Sequence, residues 1–179
     1  MPCQLRHDAV VDRLRALRRR FPALCVREYM RLRQRRPKTD WMRIELGDWQ
    51  SMRAWAEPLR FAVFVEEQNV PADIELDSFD ALSVHAVCFD ASGEAVGTGR
   101  LLPDGHIGRM AVAKPTRGRG VGSALLKALM DEARRHGHTH AVLSAQTHAT
   151  EFYRKHGYSV YGDEYDDAGI PHIDMRCPL

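Results

Sequence analysis

The sequence predicts a mixed α/β fold of the α+β kind: a twisted, mostly antiparallel sheet with helices on both faces. Two observations lead there. Between His85 and Ala113, three β-rich runs are joined by the short turns Ser92-Gly93 and Asp104-Gly105, the pattern of consecutive antiparallel strands. "SALLKALMDEARRHG" then sets Leu125, Leu126, Leu129, Met130 and Ala133 on one helical face and stops at Gly137, so those strands have an apolar helix to pack against. At 179 residues, 44% apolar and 28% charged, the chain is long enough for one such domain with a full core plus an appendage.

The appendage comes first. Residues 1–41 carry twelve Arg or Lys against four acids, a formal +8 that leaves −6 on the rest and is concealed by the overall +2. Leu14, Leu17 and Phe21 fall at helical spacing among arginines, with Pro22 as a break, which describes a basic extension that is helical or partly disordered. Met42 stands where the domain pattern begins and is itself a candidate start; the domain is expected over residues 42–179. "MRIEL" reads as its first strand. "DWQSMRAWAEPLRFAVFVEEQ" reads as two helical pieces, with Asp48 as N-cap and Pro58 between them. After the three strands and the long helix come a strand "HAVLSAQ", a short helix "ATEFYRKHG" and a final hairpin "YSVYGDEYDDAGIPHIDMRCPL".

Composition narrows the function. No apolar run is long enough to cross a bilayer, and the N-terminus does not read as a secretory signal. Asp8, Asp12 and Glu28 weigh against an Arg-rich targeting peptide. Cys3, Cys25, Cys88 and Cys177 form no C-x-x-C pair, which argues against a disulfide framework and a zinc site and points to a reducing cytoplasm. "HGHTH" (136–140) spans a helix end and a strand start, so its histidines read as structural and no metal is expected.

The chemistry concentrates in "KPTRGRGVGS". Gly118, Gly120 and Gly122 leave backbone N–H groups uncovered where a helix begins, and a helix start already offers unpaired donors and partial positive charge. Lys114, Arg117 and Arg119 add cationic donors, with no acid between Ala111 and Met130 to cancel them. A pyrophosphate suits such a place. The loop lacks the Gly-Lys-Ser/Thr of a nucleoside-triphosphate site, and its G-x-G-x-G spacing is not the dinucleotide G-x-G-x-x-G.

Arg117 to Gly122 resemble the Arg/Gln-x-x-Gly-x-Gly/Ala motif of the GNAT superfamily, the acetyl-CoA-dependent N-acetyltransferases. The order of elements agrees: an apolar strand "IGRMAVA", the loop, a long helix, a strand, and then Phe152-Tyr153-Arg154-Lys155-His156-Gly157-Tyr158, similar to the family's Phe-Tyr-x-x-x-Gly-Tyr/Phe. The resemblance covers Met42 to the C-terminus and implies the GNAT acyl-CoA N-acyltransferase fold with acetyl-CoA as acyl donor. It further implies that Arg117, Gly118, Arg119, Gly120, Val121, Gly122 and Ser123 hold the pyrophosphate. Backbone groups of Met110, Ala111 and Val112 would bind the pantetheine arm, and an N–H of Met110 or Ala111 would face the thioester oxygen. Tyr153 matches the family tyrosine that protonates the departing thiolate.

The base is open among Glu66, Glu67, Glu75, Asp77 and Asp80, with His85, His106 and His172 as alternatives; Glu67 and Asp80 are the acids expected to act. A wall of acids from Glu66 to Asp80 would suit a cationic amine. Arg60-x-x-Val63-Phe64, Glu75-x-Asp77-x-x-Asp80 and Arg100-Leu101-Leu102-Pro103 are also similar to residues of the acyl-homoserine lactone synthases. "VFVEEQNVP", E-x-D-x-x-D and "GTGRLLPDG-x-IGRMAV" resemble the small ElaA/YjcF-like GNAT proteins more closely. The expected activity is acetyl transfer to a primary amine. A signal synthase with a longer acyl chain and a non-catalytic acyl-CoA binder are the alternatives. Nucleic acid is not expected as a partner, and a homodimer is left open.

Overall fold

The structure is a computed structural model and describes residues 41–179; the expectations for the basic extension lie outside the described residues. Trp41, which the sequence assigned to that extension, belongs instead to the unit Trp41–Leu179, where it packs against the core. No helix among the described residues is long and apolar enough to cross a membrane.

Strands β1 (Met42–Gly47), β2 (Val84–Asp90), β3 (Ala95–Leu101) and β4 (Ile107–Val112) form an antiparallel sheet in sequence order. The side chains of β2 alternate between two cores. Val87 and Phe89 pack with Met52 and Ala56 of helix α1 (Trp49–Arg60). Ala86 and Cys88 face the larger core around helix α3 (Val121–Arg135), in which Leu125, Leu126 and Leu129 are fully buried. The long helix comes close because β3 offers glycines there: a Cβ on Gly97 would lie 2.7 Å from Val121 Cγ1, and one on Gly99 2.9 Å from Leu129 Cδ1.

Helix α1 starts as its cap predicts, with the Asp48 carboxylate accepting from Ser51 N–H at 2.9 Å. Pro58 does not break it. The helix continues to Arg60 and then widens into a π-helical turn, Phe61–Glu67. Proline removes a backbone donor and crowds the preceding turn, and a change of hydrogen-bond register just after it accommodates that loss. A one-turn helix α2 (Ala72–Glu75), not foreseen in the sequence, follows.

A second sheet holds β5 (His140–Gln146), β7 (Ile170–Pro178) and β6 (Ser159–Asp167), with β7 central, and short helix α4 (Thr150–Arg154) after β5. β4 and β5 run parallel and meet at a single bridge, His106 with Val142, beside a hydrogen bond from Val142 N–H to the Gly105 carbonyl at 3.3 Å. Beyond it they share no ladder, so the sheet is divided in two by a gap. A bulge in β4 accompanies the separation: between the pairs Thr98–Ala111 and Arg100–Gly108, β4 carries one residue more than β3, and Arg109 takes φ +49°.

Candidate active site

The gap between β4 and β5 widens into a cleft of about 920 Å³. One wall is the free edge of β4, from Gly108 to Val112. The other comes from Ser144 and Gln146 of β5, Phe152 and Tyr153 of α4, and the turn between β6 and β7. Gln146 Nε2 donates to Gln68 Oε1 at 2.9 Å, a bridge between the β5 side and the segment after the π-helical turn.

At the α3 end lies the glycine loop. Thr116 anchors its start by donating to the Ala113 carbonyl at 2.9 Å. Gly118 and Gly120 then take φ +73° and +91°, conformations that side chains resist, and α3 begins at Val121. The N–H groups of Gly118, Arg119 and Gly120 make no backbone hydrogen bond, and the first N–H groups of α3 lack an intrahelical acceptor by geometry. Nothing lies within 4 Å of a Cβ built on Gly118 or Gly120, so no neighbouring side chain crowds these two glycines. Arg117, Gly118, Gly120, Val121, Gly122 and Ser123 all line the cleft, as do Met110 and Val112, while the Ala111 side chain is buried in the core.

The two loop arginines differ. Arg117 donates through Nε to the Val112 carbonyl at 2.9 Å and through its two terminal nitrogens to Glu67 at 2.6 and 2.8 Å. Arg119 turns away from the cleft lining and stacks on the Trp41 ring at 4.0 Å.

Tyr153 reaches the cleft from α4, edge-on to Phe152 and Tyr158 at centroid distances of 5.0 and 5.9 Å. Its hydroxyl has no protein partner among the described residues. Burial pushes the phenol up to about 12, above the ordinary tyrosine value, so it stays protonated across the physiological range.

The acids expected to serve as bases are engaged elsewhere. Asp80 is 2% exposed and absent from the cleft lining; it accepts from Arg60 at 2.6 Å and Arg100 at 2.7 Å. Burial opposes its ionisation, but the hydrogen bonds and charges of Arg60 and Arg100 outweigh that and hold the carboxyl below its usual range. It therefore has no path to an amine in the cleft. Glu67 also lies outside the lining, and the hydrogen bond from Arg117 keeps its carboxyl low. Asp77 pairs with Arg100 at 2.7 Å, and Glu66 is exposed away from the lining. Glu75 does line the cleft, 2% exposed, with Arg60 at 2.6 Å and Arg109 at 3.5 Å; burial raises its pKa despite both cations. His85 is buried, and its Nε2 donates to the Asp80 carbonyl at 2.9 Å.

His172 has a different position. It lines the cleft, and because the Ile170 carbonyl 2.8 Å from Nδ1 can only accept, Nδ1 is the donor and Nε2 is the acceptor nitrogen of the neutral ring. Nε2 has no protein partner among the described residues. The sequence singled out this histidine only as an alternative; a hairpin turn at 168–169 brings it beside Gln146, its partner in the β5–β7 ladder. Among the described residues, no group of His, Cys, Asp or Glu is spaced to hold a metal ion.

A family model described as Acetyltransferase (GNAT) domain matches residues 57–179. The Bacillus subtilis protein named Uncharacterized N-acetyltransferase YjcF is 45% identical over 121 residues, which span 65% of this chain and 86% of that one. The crystal structure of an acyl-CoA N-acyltransferase from Pseudomonas aeruginosa superimposes with a TM-score of 0.69 at 28% identity, covering 76% of this chain and 99% of that one. Escherichia coli ElaA superimposes at 0.68 and 28%, with coverages of 76% and 99%.

Proposed function

The chain belongs to the GNAT acetyltransferase family, and on that premise we propose that it transfers the acetyl group of acetyl-CoA to a primary amine by direct attack. One observation carries the reading. A row of unpaired backbone donors at Gly118 to Gly120 and the start of α3 closes one end of a cleft whose wall is an unpaired strand edge. Those donors suit a pyrophosphate, and the edge of β4 suits an extended amide-bearing arm running from Val112 back to Met110. A backbone N–H of Met110 or Ala111, beside the bulge, would stabilise the oxyanion as the amine attacks.

His172 is the base of this proposal: its Nε2 takes the proton from the attacking amine. The nitrogen bonds to the thioester carbon, the carbon–sulfur bond breaks, and the thiolate takes a proton from the Tyr153 hydroxyl. Glu67 sits beside the donor site instead, paired with the Arg117 guanidinium and competing with phosphate for it. Cytoplasmic residence agrees with the scattered cysteines.

Calorimetric titration of the full chain with acetyl-CoA, octanoyl-CoA and desulfo-CoA, followed by amine-dependent thiol release, tests the proposal. Gly120→Glu puts a side chain and a negative charge at φ +91°, and acetyl-CoA binding should fall at least a hundredfold. Unchanged binding in that variant overturns the phosphate site. A preference for octanoyl-CoA moves the activity toward longer acyl chains.

A further inference from the structure

Of the acid wall that the sequence offered to a cationic acceptor, Glu66 and Asp73 are exposed outside the cleft lining, and the other acids are paired. Glu67 is held by Arg117, Glu75 by Arg60, Asp77 by Arg100, and Asp80 by Arg60 and Arg100. Of the two carboxylates that line the cleft, Glu75 is paired and Asp167 stands exposed at the β6–β7 turn without an ion-pair partner among the described residues.

The cleft lining also includes apolar side chains: Val63, Phe64, Val70, Ile74, Leu102 and Ile170. Ile74 is the telling member, because 47% of it is left to water. It is also held in position: Arg109 donates to the Ile74 carbonyl at 3.3 Å and to the Glu75 carbonyl at 3.2 Å, so the bulged strand grips helix α2.

We infer that the acceptor is a monoamine with an apolar aliphatic or aromatic body; this rests on the acetyl-transfer reading above. Covering Ile74 and its neighbours removes apolar surface from water, which is the gain such a body offers. One unpaired carboxylate in the lining, Asp167, suits the single ammonium group of an entering monoamine before His172 takes its proton. A polyamine would bring further charges to a cleft whose lining offers them no second unpaired carboxylate among the described residues, and a charge taken from water without a partner is costly.

Two readouts on the full chain separate this inference from the reaction. Phenethylamine, hexylamine, 1,4-diaminobutane and spermidine are titrated into the protein saturated with desulfo-CoA, and their thiol release with acetyl-CoA is measured in parallel. The two apolar monoamines should bind at least tenfold more tightly than the polyamines. Ile74→Asp should reverse that order, and Ile74→Ser should narrow it, with acetyl-CoA binding unchanged and melting temperature monitored. Tighter polyamine binding, no detectable monoamine binding, or an order indifferent to both Ile74 variants overturns the inference. Monoamine binding that depends on Ile74 but yields no thiol upholds it and counts against acetyl transfer alone.

Discussion

Replacing Asp80 by Asn tests whether this acid is architecture or chemistry. Its carboxylate faces Arg60 at 2.6 Å and Arg100 at 2.7 Å and also accepts from Asp77 N–H at 3.2 Å, all in a buried setting. Three guanidiniums, Arg60, Arg100 and Arg109, balance Glu75, Asp77 and Asp80 here, so the neutral amide leaves one positive charge uncompensated and points N–H groups at N–H groups. Removing one partner of a buried pair costs about 3–5 kcal/mol. At a slope of about 2 kcal/mol per molar, the urea midpoint should fall by about 1.5–2.5 M. The pH dependence has a definite sign. Because the folded pKa of Asp80 is depressed, its stabilisation is present above the unfolded value of 3.8 and is lost as pH falls through the folded value; the variant should lack that acid-sensitive component. Urea unfolding followed by circular dichroism, from pH 2.5 to 7, measures both. A midpoint within about 0.5 M of the parent, together with a hundredfold loss of amine-dependent turnover, would refute the reasoning and return Asp80 to the role of base.

Other outcomes follow from the same contacts. Tyr153→Phe should lower kcat about a hundredfold with the KM for acetyl-CoA nearly unchanged, and the parent should show no loss of rate from tyrosine ionisation below about pH 12; steady-state profiles check both. Glu67→Gln frees Arg117 from a paired, exposed carboxylate, so acetyl-CoA should bind up to about fivefold more tightly and with steeper salt dependence in calorimetry. His85 is buried and neutral, with desolvation first among the causes that lower its pKa. Its contribution to stability is therefore full above 6.5 and declines as pH falls through the folded value, a component that thermal melts of His85→Gln should lack.

The parts of the site that were legible in sequence are those written in a few adjacent residues. Gly118, Gly120 and Gly122 announce a backbone whose N–H groups stay open because glycine alone accepts φ +73° and +91° at low strain. The face of α3 follows from spacing, as does the alternation of the three strands before it. Pro58 misled because a proline rule describes an ideal helix, whereas this helix changes register into a π-helical turn. Arg109 gave no signal: only a bulge, set by the pairing of β3 with β4, turns it from a strand residue into the clamp on α2. Ile74 lies between Asp73 and Glu75, and nothing in that local pattern marks its side chain as part of the cleft lining.

By itself, then, the sequence determined the order of the strands and the longer helices and the glycine loop, since each rests on local periodicity or on backbone conformations open to few residues, while Tyr153 was marked by its resemblance to the family motif. Tertiary structure decided the fate of the acids. Glu67 meets Arg117 across 50 residues of chain, and Asp80 meets Arg60 and Arg100 across 20 each. Whether a carboxylate acts as a base or as a buried counter-ion depends on which cation packs against it, and that is fixed only when distant segments come together and exclude water from the pair.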